Sequence, residues 1–129
     1  MLDTNACIAH LRGLGKVTER LRALVPSEVA VCSVVRSELM FGAARSRDPV
    51  RERSVVEAFL APMSSLPFDD AAADRYAAIR LALERQGLRI GAYDLQIAAI
   101  ALCQGLTLVT HNTQELSRVP DLLFEDWEA

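Results

Sequence analysis

Apolar residues along this chain fall into two patterns, short β-branched runs and longer stretches with helical spacing. The run EVAVC at 28–32 and the run LTLVT at 106–110 predict strands, and shorter strand candidates lie at the start of the chain and at SSLPF, 64–68. Helical spacing covers most of the remaining chain, at 4–12, 16–24, 34–46, 49–61 and 92–104.

Residues typical of helix ends mark the predicted boundaries. They are Ser33, Asp48-Pro49 and Asp69 or Asp70 at helix starts, with Gly87 ending one long helix and Gly105 another. The resulting alternation of strands and helices predicts an α/β fold, a mainly parallel sheet covered by helices on both faces. In such sheets ligands bind beyond the carboxyl ends of the strands.

Length and composition limit the class of protein. The chain has 129 residues, about half of them apolar, so we expect a single domain over residues 1–129 with its own core. We find no cleavable leader and no run near the ~18 uncharged residues of a spanning helix, and so expect a cytoplasmic protein without membrane contact. Cys7, Cys32 and Cys103 lie far apart in apolar runs, and we expect them to be buried small residues.

Charge gives a mixed indication about nucleic acid. The net charge of −3 argues against a protein that coats nucleic acid through bulk charge. However, thirteen of the fourteen basic residues are arginine, whose planar group suits bidentate contact with phosphate, and five lie close together: Arg36, Arg45, Arg47, Arg51 and Arg53. A solvated helix face or a partner-binding surface explains that cluster equally well.

Acidic residues stand where the strands are expected to end. Asp3 follows the first strand candidate, Asn112 follows LTLVT, and Asp94 lies at the start of the helix 92–104. Glu38 falls on the helix face that should pack against the sheet, together with Val34, Val35, Leu39, Phe41 and Gly42. A carboxylate on that face has to be neutralised, ion-paired or bound to a metal.

Two explanations fit these acids. Asp3, Glu38 and Asp94 crowded together would repel one another unless a divalent cation offset their charge. Oxygen ligands favour Mg²⁺ or Mn²⁺ over zinc, and neither histidine stands at a ligand spacing from a cysteine or a carboxylate. The structural alternative makes Asp3 and Asp94 helix caps, pairs Glu38 with Arg36 or another arginine, and treats Asn112 as a turn residue.

Four segments together resemble the PIN-domain ribonucleases, and within them the VapC toxins of bacterial VapBC toxin–antitoxin modules. They are MLDTN at the start, SVVRSELMFGAARS around Glu38, LERQGLRIGAYDLQIAAIAL containing Asp94, and GLTLVTHNTQELSRVPDLLFEDW near the end. The resemblance implies a three-layer α/β/α PIN fold with a sheet of about five strands. It also implies that Asp3, Glu38 and Asp94 form an acidic site for Mg²⁺ or Mn²⁺.

The resemblance implies supporting residues and shows two departures. Thr4 or Asn5 would orient Asp3. Many PIN domains have a fourth acid where this chain has Asn112, and Glu115 is the candidate substitute. The first strand is also short, since only two residues precede Asp3, so either the native chain starts upstream or the free amine lies close to the site.

The implied function is metal-dependent endonucleolytic cleavage of structured or looped RNA such as tRNA or rRNA. The arginines expected to contact RNA phosphates are Arg36, Arg45 and Arg47. The implied partners are a cognate VapB-like antitoxin, laid across the active-site groove, and a second copy of the chain in a homodimer.

Three rival classes are weighed against this function. An inactive PIN-fold interaction module would keep the acids only as caps. A receiver-like signalling domain also binds Mg²⁺ at strand ends, but it needs paired acids after its first strand and a lysine late in the chain, whereas Lys16 is the only lysine here. A nucleotide-binding enzyme would need a phosphate loop, and Gly13-Leu14-Gly15 has neither a preceding strand nor a third glycine.

Overall fold

The computed structural model describes residues 1–129 and contains seven α-helices and four short strands. The helices are α1 (Thr4–Leu11), α2 (Gly15–Arg22), α3 (Ser33–Ala44), α4 (Pro49–Leu60), α5 (Asp70–Arg85), α6 (Ala92–Gln104) and α7 (Thr113–Leu116). The strands are β1 (Ala30–Cys32), β2 (Ser64–Leu66), β3 (Leu108–Val109) and β4 (Phe124–Glu125). None of the helices combines the length and the apolar character that crossing a membrane requires.

The first three residues join two parallel strand pairs into one sheet. β1 pairs with β2, and β3 pairs with β4. Between them, the amide of Leu2 donates to the carbonyl of Ala30 at 2.9 Å, and Leu2 forms a parallel bridge with Val109. The order across the sheet is therefore β2, β1, the N-terminal segment, β3, β4. The predicted parallel sheet of about five strands is confirmed, with its first strand at the centre.

Burial explains why the central segments read as continuous apolar runs. All three residues of β1 and both of β3 are buried, and Leu2 is 1% exposed, as expected for strands covered on both faces. α6 packs against α5 and α3 and buries Leu95, Ile97 and Ile100 with several alanines. The small alanines let the helix approach its neighbours closely, which holds its first turn at the edge of the sheet.

Most predicted helix ends agree with the structure. The carboxylate of Asp48 accepts from the amide of Arg51, and that of Asp69 caps α5. Gly87 and Gly105 have the positive φ values of 70° and 65° that favour glycine after a helix. The cap at Ser33 is wrong. Cys32 precedes α3, and the hydroxyl of Ser33 accepts from the amide of Phe68 on the neighbouring segment instead.

The structure differs from the predicted strand bounds and from two predicted burials. The strand predicted at 28–32 begins only at Ala30, because Pro26–Glu28 forms a 3-10 turn, and the strand predicted at 106–110 is confined to β3. Phe41 is 64% exposed rather than packed on the sheet, and the guanidinium of Arg45 lies 5.1 Å from its ring centroid. Cys103 is exposed near the end of α6, whereas the other two cysteines are buried as predicted.

Candidate active site

Asp3 is the one fully buried acid of the chain. It is 3% exposed, directly follows Leu2 in the central strand, and caps α1 by accepting from the amide of Ala6 at 2.8 Å. Burial raises its pKa to about 6, and the negative charge of Asp94 adds to this, while the Ala6 amide and the side chain of Thr110 oppose it. Asp3 is thus a cap, as the structural alternative expected, and also an acid that is costly to ionise.

Asp94 is the third residue of α6 and so lies in the first turn of that helix. The cap is Gly91, so the alternative that made Asp94 a helix cap is wrong. The side-chain amide of Asn112 donates to Asp94 at 3.0 Å and to Glu115 at 2.9 Å, which ties the two carboxylates together. Burial raises the pKa of Asp94, with a smaller contribution from the charge of Glu115.

Thr110 links these two acids and was not singled out from the sequence. It follows β3, is 1% exposed, and its hydroxyl oxygen accepts from the amide of Asn112 at 3.1 Å. Its side chain also lowers the pKa of Asp3. The available signal was its position, since it is the last residue of LTLVT and so a polar side chain at a strand end.

Glu38 is half-buried and takes its main contact from α1. The hydroxyl of Thr4 donates to Oε1 of Glu38 at 2.7 Å. None of the ion pairs includes Glu38, so its suggested pairing with Arg36 or another arginine is wrong. The expectation that Thr4 orients Asp3 is corrected as well, because the helix turn points this hydroxyl at α3. Asn5 lies on the exposed side of α1.

The acids therefore share one edge of the sheet. Asp94 is close enough to raise the pKa of Asp3, and Thr4, the residue after Asp3, holds Glu38. The carboxylates do not form a compact cluster of three, however. The group whose ligand atoms all lie within 4.8 Å of one another is His111, Asp126 and Glu128.

This group shows that a histidine does lie at ligand distance from carboxylates, although neither histidine stands at a ligand spacing from a cysteine or a carboxylate in the sequence. Nδ1 of His111 lies 3.0 Å from Asp126 and 3.9 Å from Glu128. The three meet because β3 and β4 are neighbours, so the residues that follow these strands come together. The hydrogen bond to Asp126 raises the pKa of His111, whose side chain is exposed. Glu128 also raises the pKa of Asp3, so the group borders the acidic edge.

The predicted ligands have the chemistry of a hard-metal site. Asp3, Asp94 and Glu38 offer oxygen atoms only, which suit Mg²⁺ or Mn²⁺ better than zinc. Asp3 is also buried without an ion-pair partner within 4.0 Å, and burial of an unpaired carboxylate is unfavourable. The donor chemistry of these residues therefore suits a divalent cation, although their ligand atoms do not all lie within 4.8 Å of one another.

Two cavities flank the acidic edge. The larger has a volume of about 480 Å³ and is called the Asn112 cavity, because Asn112 is among the residues that line it. The smaller has a volume of about 310 Å³ and is called the Glu38 cavity, because Glu38 is among the residues that line it. Of the three arginines predicted to contact phosphate, only Arg45 lines either one, the Glu38 cavity. Arg36 lies away from both and lines a separate cavity with residues of β1, α4 and β2. Arg47 is exposed beyond the end of α3.

Comparison with known proteins agrees with this architecture. The family model described as PIN domain matches residues 1–122. The chain belongs to the PIN-domain family. It is 41% identical over 128 residues to the tRNA(fMet)-specific endonuclease VapC of Shigella flexneri, covering 98% of this chain and 96% of that one. The resemblance to VapC ribonucleases is therefore confirmed.

Solved structures of PIN-domain relatives confirm the fold. DNA-bound VapBC from Salmonella typhimurium matches with a TM-score of 0.92 and 37% identity, over 98% of this chain and 96% of that one. VapBC2 from Rickettsia felis, bound to a promoter DNA fragment, matches with a TM-score of 0.90 and 32% identity, over 98% and 97% of the two chains. These matches show that the receiver-like alternative is wrong. The only lysine, Lys16, donates to the carbonyl of Ala129 and not to an acid.

Proposed function

We propose that this PIN domain, spanning residues 1–129, is the endoribonuclease toxin of a toxin–antitoxin pair and hydrolyses phosphodiester bonds in structured RNA. Membership of the PIN family and the likeness to VapC ribonucleases support a nuclease. The named substrate of the relative from Shigella flexneri makes tRNA(fMet) the first RNA to test. Other tRNAs and rRNA are the next candidates.

The observation that carries the proposal is a buried acid with no ion-pair partner among the side chains of the protein. Asp3 is 3% exposed with its pKa raised to about 6, and Asp94 shares its edge of the sheet. We propose that Asp3, Asp94 and Glu38 hold Mg²⁺ or Mn²⁺. A divalent ion bound there would lower the pKa of a bound water molecule. It would also offset the negative charge that develops on the leaving oxygen.

The protein side chains then have distinct roles. Asp3 is fixed by the Ala6 amide, and Asp94 is oriented by Asn112, so both carboxylates are held in place before any ligand binds. The Thr4 hydroxyl donates a hydrogen bond to Oε1 of Glu38, and no group of the protein donates to Oε2. We propose Oε2 of Glu38, which has no protein donor, as an acceptor for a proton from the attacking water.

Glu115 is proposed as the substitute for the missing fourth acid. Asn112 stands at that position, and its amide donates to Glu115 at 2.9 Å. A neutral amide cannot replace a carboxylate in charge, but it brings the carboxylate of Glu115 to the same edge as Asp94. Glu115 thus supplies a fourth negative charge beside the three predicted ligands.

We also propose two protein partners. The VapBC structures that resemble this chain contain an antitoxin, and two of them are bound to DNA. We infer a cognate VapB-like antitoxin that covers the acidic edge, and a homodimer of the toxin. Co-purification with the product of a neighbouring reading frame, and the mass of the isolated chain in solution, test these two inferences separately.

Cleavage of RNA by the purified chain tests the function itself. The protein, freed of any antitoxin, is incubated with tRNA(fMet) in Mg²⁺, in Mn²⁺ and in EDTA, and the new RNA ends are sequenced. Glu38→Gln removes the carboxylate with little change in volume, so cleavage should fall about 100-fold or more while the fold persists. Glu19→Gln, at an exposed position on α2, is the matched control.

An inactive interaction module makes the opposite prediction. It would show no cleavage of any RNA by the wild-type chain in either metal. Cleavage that persists in EDTA would likewise contradict the proposed metal site.

A further inference from the structure

Arg12 stands on the wall shared by the two cavities beside the acidic edge. It lines the Asn112 cavity and the Glu38 cavity, and Ile8 is the one other residue common to both. Because Asn112 holds Asp94 and Glu38 is a proposed ligand, a group at this junction lies between the two sides of the site. No pattern in the sequence distinguishes Arg12 from the other arginines.

Helix geometry explains this placement. Asn5, Ile8 and Arg12 are spaced i, i+3 and i+7, so they lie on one face of the helical turn that begins at Asp3. Arg12 follows the last residue of α1, and its amide donates to the carbonyl of Ile8 at 2.9 Å. Nine residues separate it from Asp3, or about 13 Å along the helix axis, and helical side chains lean back towards the N-terminus.

The guanidinium of Arg12 is free to bind a ligand. The residue is exposed, takes part in no ion pair, and forms no side-chain hydrogen bond to the protein. Arg45, the other arginine near the site, instead lies over the ring of Phe41. Arg12 is therefore the unengaged cation of the two that face these cavities.

A cation is needed at this place if RNA is the substrate. The carboxylates of Asp3, Asp94 and Glu38 repel the phosphodiester backbone, and at long range this repulsion opposes approach of the substrate. A guanidinium offers donors arranged for two phosphate oxygens. At about 13 Å along α1 from Asp3, it is placed to contact a phosphate near the scissile one rather than the scissile one itself.

We propose that Arg12 is a substrate-binding residue that contacts a backbone phosphate flanking the cleaved bond and so positions the RNA strand along α1. This inference rests on the proposed ribonuclease function. The ligand class is the phosphodiester backbone of RNA, without base preference, because the contact is made by charge and not by a base edge.

Fluorescently labelled tRNA(fMet) in EDTA tests the inference by binding, and Mg²⁺-dependent cleavage of the same RNA tests it by kinetics. Arg12→Gln should weaken binding about tenfold and raise KM by a similar factor, with kcat little changed. The slope of log K against log salt should fall by about 0.7, the contribution of one phosphate contact to a single strand. Arg12→Lys keeps the charge and should restore the slope.

Arg75→Gln is the matched control, because Arg75 is exposed on α5, forms no ion pair and loses the same charge. If Arg12→Gln, Arg75→Gln and an active wild-type chain show equal binding, KM and salt slope, the proposed role of Arg12 is overturned. The proposed ribonuclease function then still stands. A wild-type chain that neither binds nor cleaves RNA would overturn the proposed function together with it. Unchanged melting temperatures exclude a folding defect as the cause of any loss.

Discussion

The hydroxyl of Thr4 donates a 2.7 Å hydrogen bond to Oε1 of Glu38, although the two residues stand 34 positions apart in the chain. The bond fastens the first turn of α1 to the middle of α3. Because Asp3 caps the same turn of α1, one short stretch of backbone positions two of the proposed metal ligands. Polar residues at positions 3 and 4 therefore hold the end of the central strand, the start of α1 and the middle of α3 together.

Thr4→Val should reduce RNA cleavage about tenfold, because Glu38 would lose the donor that fixes its carboxylate. The shape of the side chain is preserved, so the fold should persist with a loss of about 1 kcal/mol of unfolding free energy. Initial rates of tRNA(fMet) cleavage and a denaturant titration measure the two effects. Thr18→Val is the control, because it removes a comparable hydroxyl contact, to His10, away from the acids. Equal rates for both variants would refute the orienting role of Thr4.

Asp3→Asn should abolish cleavage and yet stabilise the metal-free protein at neutral pH. The neutral amide keeps an oxygen to accept from Ala6 but removes the cost of a buried charge. Divalent cations should raise the melting temperature of the wild-type chain, and this rise should be lost in the variant. Thermal unfolding in EDTA and in Mn²⁺ measures both effects.

Asp69→Asn is a matched control for Asp3→Asn. Asp69 caps α5 through the amide of Ala72 at 2.9 Å, so the substitution makes the same chemical change at another cap, an exposed one. We expect no stabilisation there and an unchanged response to Mn²⁺. A destabilised Asp3→Asn protein would mean that Asp3 acts mainly as a cap.

The stability of the metal-free protein should fall as pH rises from about 4 to about 6. Asp3 has a pKa of about 6 when folded, against roughly 3.9 in an unfolded chain, so the folded state binds more protons in this interval. The stabilisation by protonated Asp3 is complete below the unfolded value and is lost through the folded one. The difference in unfolding free energy between wild type and Asp3→Asn should therefore grow by about 2–3 kcal/mol over that range.

Activity should show the complementary pH dependence. Protonation of Asp3 competes with the divalent ion for its carboxylate, so cleavage at a subsaturating metal concentration should fall below a pH of about 6. Raising the Mn²⁺ concentration should shift the midpoint to lower pH, because the metal displaces the proton. If the midpoint does not move with metal concentration, the group that titrates is not a ligand of the metal.

Asn112→Asp should destabilise the metal-free protein and increase its stabilisation by Mn²⁺. The substitution replaces a donor that bridges Asp94 and Glu115 with a third negative charge, which costs about 1–3 kcal/mol without a cation. Gln114→Glu, exposed on the same short helix, adds the same charge outside the bridge and should change neither quantity. Melting temperatures with and without Mn²⁺ compare the two variants.

The acidic edge was predictable because strand ends can be located from sequence. Asp3 directly follows an apolar run and Asn112 stands three positions after Val109, and a parallel sheet brings such ends to one edge. Glu38 was found because a carboxylate on an apolar helix face requires a partner. The exact partner was not predictable, since the direction of the Thr4 hydroxyl depends on how α1 and α3 pack.

The other contacts could not be predicted from the sequence, because they join residues that are far apart along the chain. His111 and Asp126 are 15 positions apart, and only the pairing of β3 with β4 brings them to 3.0 Å. The place of Arg12 likewise depends on which face of α1 borders the cavities. Short strands were overextended because β-branched composition does not show where a turn such as Pro26–Glu28 begins.

Binding of Mn²⁺ to the purified chain, followed by electron paramagnetic resonance, shows whether Asp94 belongs to the divalent-cation site. Two places compete for the metal, the acidic edge around Asp94 and the group of His111, Asp126 and Glu128, of which only the histidine is exposed. We predict that Asp94→Asn abolishes the tight Mn²⁺ site and that Asp126→Asn retains it. Loss of the site in Asp126→Asn, with full binding in Asp94→Asn, would instead place the metal at the group of His111, Asp126 and Glu128.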